Sequence, residues 1–381
     1  MIPNNMYQLG YRLLGAAVLL LCAGCQSLIS NNGAESVGEG TGISLIVGTY
    51  NQKGSEGIYS LSFDPSTGTF GEPKLEARAD NPSFISQHGN RLYAVVETDH
   101  GALTTYSRAE NGTLQSLATA LTKGASPCYI SLSPDGRFIA TANYMGGNTS
   151  IFRLDDTGVP QGVPQVLQHQ GKGPNADRQE AAHAHWAQWD PQQAYLYVVD
   201  LGIDEVKAYP FDDGAGEGFT ALRLAPGDGP RHLFFHPHLP VVYVVNELSN
   251  TLVAARRNGD GTFTEFQKIG MLPASFTEHS QAAHLYVTSD GKTLYASNRG
   301  HNSIAVFNIG QDGSLNLVEI EPVLGDWPRH FLVLEDERIL IVANQESHNL
   351  VAFRIESSGA LTPMGKQIEI PQPTFLDRLA F

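Results

Sequence analysis

Cysteine is rare in this chain of 381 residues and occurs only as Cys22, Cys25 and Cys128. The first two belong to a leader segment, so Cys128 is the one thiol expected in the folded domain. A single thiol cannot form an internal disulfide, and the fold must therefore depend on core packing. Because Cys128 follows Pro127 at the start of a predicted strand, we interpret it as a buried structural thiol rather than a nucleophile.

Basic residues are also few: 24 Lys and Arg against 39 Asp and Glu give a formal net charge of −15. A field of this sign repels polyphosphates, which argues against nucleic-acid binding and against adhesion of the domain to anionic lipid headgroups. Several arginines nevertheless recur at positions beside loops. Local positive charge in an acidic protein indicates a pocket for a small anion.

Three catalytic motifs are missing, namely the Gly-x-Ser-x-Gly elbow, the His-Glu-x-x-His zinc motif and the Gly-x-x-x-x-Gly-Lys-Ser/Thr phosphate loop. His183 and His185 are alternate residues on one strand face and could share a metal ion, but no third ligand accompanies them. We therefore predict neither a metal ion nor another cofactor.

A leader precedes the folded region. Arg12 is followed by an apolar run over 13–21 that is too short to span a membrane, and the run leads to Ala23-Gly24-Cys25. This pattern resembles a bacterial lipoprotein signal and predicts a signal peptide over 1–25, acylation of Cys25 and a flexible tether over 26–42. The expected location is the bacterial cell envelope, facing the periplasm or the exterior, with the lipid as the sole membrane contact. A plain signal peptide and an uncleaved anchor are the alternatives.

A pattern of strand, tight turn and strand recurs seven times after the leader. Its clearest copies are 133–143, 236–246 and 288–298, with alternating apolar residues and turns such as Pro-Asp-Gly and Asp-Gly. Intervals of about 45 to 55 residues are typical of four-stranded propeller blades. The units begin near Pro82, Pro127, His185, Pro230, Gln281, Pro328 and Pro373. The sequence thus predicts an all-β, seven-bladed β-propeller.

The two ends of the repeat complement one another. Residues 43–70 lack the leading strand of the other units, whereas 373–381 reads as an unpartnered strand. Pairing them would satisfy two edges that otherwise expose backbone hydrogen-bonding groups. We predict one closed domain over 43–381, and we expect it to be a monomer.

Two sets of polar residues recur at equivalent blade positions and should meet at one end of the central channel. One set ends the second strand of the units and the other opens the innermost strand. Asn and Asp often only terminate strands, whereas charged groups near an axis are costly unless paired or solvated. The first set is Asn143-Tyr144, Asp200-Leu201, Asn246-Glu247, Asn298-Arg299 and Asn344-Gln345, and the second is His183-Ala184-His185, Pro230-Arg231-His232, Ala282-Ala283-His284 and Pro328-Arg329-His330.

These segments resemble a known family. Residues 229–232, 243–248 and 289–299, together with 184–186 and 199–202, are similar to the seven-bladed lactonases, which include bacterial 6-phosphogluconolactonase and fungal carboxymuconate cyclase. The resemblance extends over 43–381. In the cyclase branch a histidine, two arginines and a glutamate form the proposed active site.

The resemblance implies that the catalytic residues are Glu247, His185, Arg231 and Arg299. Glu247 would activate water, the arginines would stabilise an oxyanion or hold a carboxylate, and His185 would return the proton to the leaving group. The expected ligand is a small anionic lactone or carboxylate. Further substrate-binding residues are expected at His183, His232, Asn246, Asn298, Arg329 and His330.

Three functions compete at this stage. The first is hydrolysis of a sugar-acid lactone, of the 6-phosphogluconolactonase type. The second is lactone formation from a muconate-like diacid at the same site, and the third is a non-catalytic binding module. Export would favour another lactone, because 6-phosphogluconolactone is made in the cytoplasm. The irregular stretch over 166–182 either shapes the site or is a surface excursion.

Overall fold

The computed structural model describes residues 42–109 and 113–380, and every regular element in these ranges is a β-strand. No helix in the described ranges is long and apolar enough to cross a membrane. The predicted signal peptide with Cys25 and the predicted tether up to residue 41 lie outside the described residues.

The strands of the described ranges form seven antiparallel sheets, the blades. The first blade contains β1 (Ile43–Thr49), β2 (Gly57–Asp64), β3 (Thr69–Phe70) and β4 (Lys74–Arg78). The second contains β5 (Ile85–His88), β6 (Arg91–Val96), β7 (Ala102–Arg108) and β8 (Leu114–Leu121), and the third β9 (Pro127–Leu132), β10 (Phe138–Asn143), β11 (Asn148–Leu154) and β12 (Pro160–Gln168). The fourth contains β13 (Ala184–Trp189), β14 (Tyr195–Asp200), β15 (Glu205–Pro210) and β16 (Phe219–Arg223), and the fifth β17 (Pro230–Phe235), β18 (Val241–Asn246), β19 (Thr251–Arg257) and β20 (Phe263–Gly270). The sixth contains β21 (Gln281–Val287), β22 (Thr293–Arg299), β23 (Ser303–Ile309) and β24 (Leu315–Pro322), and the seventh β25 (Pro328–Leu334), β26 (Ile339–Asn344), β27 (Asn349–Ile355) and β28 (Leu361–Glu369). The last strand, β29 (Pro373–Arg378), joins the first blade.

The closure predicted from the two chain ends is confirmed. Strand β29 pairs antiparallel with β1, with Val47 opposite Leu376 and Leu45 opposite Arg378. Leu376 is fully buried, and the Thr374 hydroxyl donates a hydrogen bond to the Gly48 carbonyl at 3.1 Å. The all-β, seven-bladed propeller is therefore closed by its carboxyl-terminal strand.

The hydrophobic core lies between the blades. Seven apolar clusters each combine residues from two neighbouring blades. As a result β10, β18 and β26 are buried at every position, whereas half of the positions in the outer strand β20 are exposed. The alternation expected from the sequence thus fails in these second strands, because both of their faces pack against another blade.

A recurrent hydrogen bond ties neighbouring blades together. In four blades a tyrosine of the second strand donates its hydroxyl to the carbonyl of a glycine in the outer hairpin of the next blade. The pairs are Tyr93 with Gly158 at 2.7 Å, Tyr197 with Gly261 at 3.0 Å, Tyr243 with Gly313 at 2.9 Å and Tyr295 with Gly359 at 2.9 Å. These glycines have φ between 79° and 88°, a conformation that favours glycine.

Six innermost strands begin with a β-bulge where they pair with the second strand. A bulge leaves one residue without a partner opposite and re-aims its side chain. In β21 the irregularity spans two residues, Ala283 and His284. The single unopposed residues of the other strands are Cys128, His185, Arg231, Arg329 and Thr374.

Candidate active site

Glu247 is the centre of a buried charge cluster. It directly follows β18 and is 1% exposed. Its Oε2 lies 2.7 Å from Arg299 Nη2 and 3.1 Å from Arg231 Nε, and its Oε1 lies 2.6 Å from Arg178 Nη2. The structure thus brings together Glu247, Arg231 and Arg299 as the sequence predicted, and it adds a third arginine.

The cluster keeps its charges at neutral pH. Burial alone would raise the pKa of Glu247, but the guanidiniums of Arg299, Arg178 and Arg231 together outweigh burial and hold that pKa below its ordinary value. Burial, reinforced by the neighbouring Arg299 and Arg329, lowers the pKa of Arg231 to about 9. Glu247 is therefore ionised, and Arg231 is still a cation at pH 7.

Backbone carbonyls of the sixth blade hold the two buried arginines in place. Arg231 Nη1 donates to the Ala283 carbonyl at 2.7 Å, and Arg299 Nη2 donates to the Ala282 carbonyl at 3.0 Å. The Arg299 guanidinium also lies over the Trp327 ring, 5.3 Å from its centroid. Arg231 Nε is close enough to Glu247 for an ion pair but is not aligned for a hydrogen bond. This buried donor thus has no aligned acceptor.

The third arginine comes from the irregular connection between β12 and β13. Arg178 Nη2 also donates to the Tyr144 hydroxyl at 3.1 Å. Its neighbour Gln179 is fully buried and anchors the connection. Arg178 has no counterpart in the other blades, so comparison of the repeats could not find it. The length of the connection was the sequence feature that pointed to it.

His185 is the bulged residue of β13 and lies beside the cluster. Its Nδ1 is 3.7 Å from Cys128 Sγ, and its ring contacts those of Tyr144 and His232 edge-on. No described residue forms a hydrogen bond with Nε2, which leaves that nitrogen available to a water molecule or a substrate. Burial, together with the positive charge of Arg231, lowers the pKa of His185 well below its ordinary value. The imidazole is therefore neutral at pH 7.

Cys128 is a buried free thiol, as the sequence suggested. Burial, with Glu97 acting in the same direction, raises its thiol pKa far above the ordinary value. The group is accordingly a thiol rather than a thiolate at neutral pH, and it is a poor nucleophile.

His232 and His330 belong to a layer of rings that crosses the channel beneath the charge cluster. We call this the aromatic layer; its members are Phe84, Tyr129, His232, His284, His330 and Phe375. His232 Nε2 is 3.0 Å from Arg231 Nη1, and its Nδ1 is 3.2 Å from Nδ1 of His284. Burial lowers the pKa of His330 to about 3, so this ring is neutral. Within the layer, His232 contacts Arg231 directly.

A cavity of about 590 Å³ lies along the other ends of the inner strands. Phe84, Tyr129 and Phe375 line it and also belong to the aromatic layer, so the layer forms its floor. The cavity is not lined by Glu247 or by the arginines around it. Because the charged groups that could act on a substrate surround Glu247, we place the candidate site at that end of the channel and not in this cavity.

His183 supports the site from the side. Its ring stacks on Tyr144, with centroids 4.4 Å apart, and its Nε2 lies 3.0 Å from Glu180 Oε1. Within the described residues, no three His, Cys, Asp or Glu side chains are arranged to hold a metal ion.

Asn246 and Asn298, for which the sequence predicts substrate binding, form hydrogen bonds within the propeller framework next to the charge cluster. Their amide nitrogens donate within the propeller framework, from Asn246 to Thr251 Oγ1 at 2.9 Å and from Asn298 to the Met271 carbonyl at 3.1 Å. Both residues are fully buried. Asn246 ends β18 and Asn298 is the penultimate residue of β22, and the residue after each of them, Glu247 or Arg299, belongs to the charge cluster.

A second polar group lies at the same mouth of the channel and contains the predicted Arg329 together with two residues that the sequence comparison missed, Tyr50 and Glu97. Arg329 Nη2 donates to the Tyr50 hydroxyl at 2.8 Å, and that hydroxyl donates to Glu97 Oε1 at 2.8 Å. The Ser83 hydroxyl donates to the other oxygen of Glu97. Burial raises the pKa of Glu97. Tyr50 and Glu97 directly follow β1 and β6, as Glu247 follows β18. They therefore occupy the same position in the repeat as Glu247, and an alignment of all seven units could have found them.

Comparisons with known proteins agree with this architecture. Residues 44–377 match a family described as lactonase, 7-bladed beta-propeller. The 6-phosphogluconolactonase of Bacillus subtilis (strain 168) is 39% identical over 334 residues, which cover 86% of this chain and 95% of the relative. A 6-phosphogluconolactonase of Formosa agariphila is 31% identical over 348 residues, or 86% of this chain and 95% of the relative. The solved structure of a periplasmic gluconolactonase from Pseudomonas aeruginosa is 29% identical, with a TM-score of 0.83 over 89% of this chain and 99% of that chain. The chain belongs to the seven-bladed β-propeller lactonase family.

Proposed function

We propose that this protein hydrolyses the lactone of a sugar acid. The observation that carries the proposal is an ionised Glu247 held among three arginines beside a neutral His185 whose Nε2 has no hydrogen-bond partner among the described residues. Such a site offers fixed positive charge for an oxyanion and a base for water. The names of the relatives from Bacillus subtilis and Pseudomonas aeruginosa support a sugar-acid lactone as the substrate class.

The arginines would stabilise the charge that develops during ring opening. Attack of water on the lactone carbonyl places a negative charge on the carbonyl oxygen, and preorganised donors lower the energy of that state. Arg231 and Arg299 are held by backbone carbonyls and by Glu247, so little reorganisation is needed.

The proton transfers are assigned to His185. Neutral imidazole takes a proton from the attacking water, the carbon to ring-oxygen bond breaks, and the imidazolium gives the proton to the departing oxygen. Sequence reasoning gave the role of base to Glu247. Because its three guanidinium partners lower the pKa of Glu247, that carboxylate is a weak proton acceptor, and we propose that it fixes the arginines and stabilises the imidazolium.

This proposal predicts the pH dependence of hydrolysis. The pKa of His185 is lowered well below its ordinary value by burial and Arg231, so the neutral base predominates at pH 6.5 and above. We expect kcat/KM to stay constant from about pH 6.5 to 8, to fall at lower pH, where the imidazole becomes protonated, and to fall near pH 9, where Arg231 loses its proton. If kcat/KM already begins to decline near pH 7 as the pH is lowered, this assignment is wrong.

Replacing His185 by Gln should lower kcat about 10²-fold and remove the acidic limb of the profile. A matched control is His236→Gln, because His236 is a buried histidine whose Nε2 lies 3.0 Å from the Gly291 carbonyl, in a turn. That variant should keep the wild-type pH profile.

The proposed reaction is tested directly with the purified protein. Proton release is followed on a panel of phosphorylated and unphosphorylated aldonolactones, with spontaneous hydrolysis subtracted. Turnover of at least one lactone is expected. If no lactone in the panel is hydrolysed above the spontaneous rate, the proposed activity is wrong, and a binding module becomes the better interpretation.

We also propose export and acylation at Cys25, which would give the enzyme a substrate outside the cytoplasm. The name of the Pseudomonas aeruginosa relative, a periplasmic enzyme, supports this location. Metabolic labelling with a fatty acid should mark the wild type and not Cys25→Ala. The neighbouring Cys22→Ala is the control and should retain the label, whereas a labelled Cys25→Ala protein would rule out acylation at this position.

A further inference from the structure

We infer that Arg178 makes the site selective for an anionic lactone: its guanidinium binds a carboxylate or phosphate group of the ligand. The connection over residues 169–183, which carries Arg178, would then be a specificity element. This inference rests on the proposed lactonase activity.

Arg178 differs from the other arginines at Glu247 in its exposure and in its free donors. Its side chain is 30% exposed, against 3% for Arg231 and 5% for Arg299. Its Nη2 serves both Tyr144 and Glu247, whereas Nε and Nη1 have no hydrogen-bond partner among the described residues. A planar guanidinium with unused donors that face solvent is well suited to bind carboxylate or phosphate oxygens.

The charge around the channel mouth also favours an anion. Four guanidiniums, of Arg178, Arg231, Arg299 and Arg329, face three carboxylates, of Glu97, Glu180 and Glu247. No carboxylate oxygen of a described residue lies within ion-pair distance of Arg329, which is held by the Tyr50 hydroxyl. The mouth is therefore positive although the whole chain carries a formal charge of −15. A positive region on a protein of negative net charge attracts small anions to that region.

The connection is fixed next to Arg178 by buried hydrogen bonds. Gln179 Nε2 donates to the Leu201 carbonyl and to Asp204 Oδ1, both at 2.8 Å. Its Oε1 accepts a hydrogen bond from the backbone N–H of Asn175 at 3.2 Å. These bonds pin the backbone, while the long Arg178 side chain remains able to adjust to a ligand.

The decisive experiment compares two substrates in the full-length protein. For Arg178→Gln we expect kcat/KM to fall about 10- to 100-fold on a lactone that carries a phosphate, mainly through KM, because a charge-assisted hydrogen bond is lost. On neutral glucono-δ-lactone the loss should be clearly smaller, because there only the contact of Arg178 with Glu247 is removed. Arg178→Lys keeps the charge but loses the planar fork. Its kcat/KM on the anionic lactone should therefore lie between the values of the wild type and of Arg178→Gln.

Arg223→Gln is the matched control. Arg223 is an exposed arginine of β16 that pairs with Glu205 at 2.6 Å, so the variant removes one positive charge from the adjoining fourth blade without touching the channel mouth. It should leave the ratio of the two kcat/KM values unchanged. Equal losses on both lactones in Arg178→Gln, or no loss on the anionic one, overturn the inference. A wild type that does not prefer the anionic lactone also overturns it.

Binding measurements separate this inference from the proposed reaction. Isothermal titration with gluconate and with inorganic phosphate needs no turnover and distinguishes a carboxylate from a phosphate. Binding to the wild type that weakens at least tenfold in Arg178→Gln supports the inference, even if no lactone is hydrolysed. Equal binding by the two proteins, or no binding to the wild type, refutes it.

Discussion

Replacing Glu247 by Gln is expected to lower the rate of lactone hydrolysis about 10²-fold or more, the scale of losing preorganised charge in an active site. The amide keeps the size of the side chain but loses the charge that holds Arg231, Arg299 and Arg178 at 2.6 to 3.1 Å. The three guanidiniums would then repel one another and leave their positions. Steady-state kinetics on any lactone hydrolysed by the wild type measures this effect.

The same variant should also be less stable, by up to about 3 kcal/mol, because a buried ion pair has lost one partner. The folded-state pKa of Glu247 is depressed, so its contribution is present above the ordinary carboxyl pKa and is lost as the pH falls toward the folded value. The difference in unfolding free energy between wild type and variant should thus shrink below about pH 4.

Glu205→Gln is the control for Glu247→Gln. Glu205 is also buried and pairs with two cations, Lys207 at 3.5 Å and Arg223 at 2.6 Å, but it lies on the outer part of the fourth blade. Loss of the Glu205 charge should lower the stability of the protein and leave kcat unchanged. Full activity of Glu247→Gln at pH 7 would remove Glu247 from the proposed site.

Removal of residues 373–381 is expected to destabilise the whole propeller by several kcal/mol. The deletion exposes the edge of β1 and takes away the buried Phe375 and Leu376 side chains. Phe375 also belongs to the aromatic layer, so the channel loses part of its wall. Denaturant unfolding of the deletion variant against the full-length protein measures the loss.

A graded variant keeps this prediction testable if the truncated chain does not fold. Leu376→Ala should cost about 2 to 5 kcal/mol, as do other large-to-small changes in a packed core. Arg378→Gln, at an exposed position of the same strand, should change stability by less than about 0.5 kcal/mol. A deletion variant as stable as the full-length chain would show that closure contributes nothing.

The sequence by itself determined the ring and its closure. Turn dipeptides and strand-forming residues are local signals that can be recognised without knowing the tertiary contacts. Counting their repeats along the chain gives the number of blades. An unpaired unit at each end of the repeat then leaves one arrangement that satisfies both edges. The same logic brought Glu247, Arg231 and Arg299 together, because equivalent positions of a propeller meet at one face.

Only the tertiary structure decided the remaining features of the site. Arg178 lies on a connection without counterparts, and a contact across 69 residues has no local pattern. Side-chain direction is predicted from the alternation of residues along a strand. The bulges at His185 and Arg231 interrupt that alternation, so the sequence pattern could not show that these side chains reach the channel. The neutral state of His185 and the ionised state of Glu247 follow from burial and from the number of neighbouring guanidiniums. These are properties of packed neighbours, and a list of residues does not contain them.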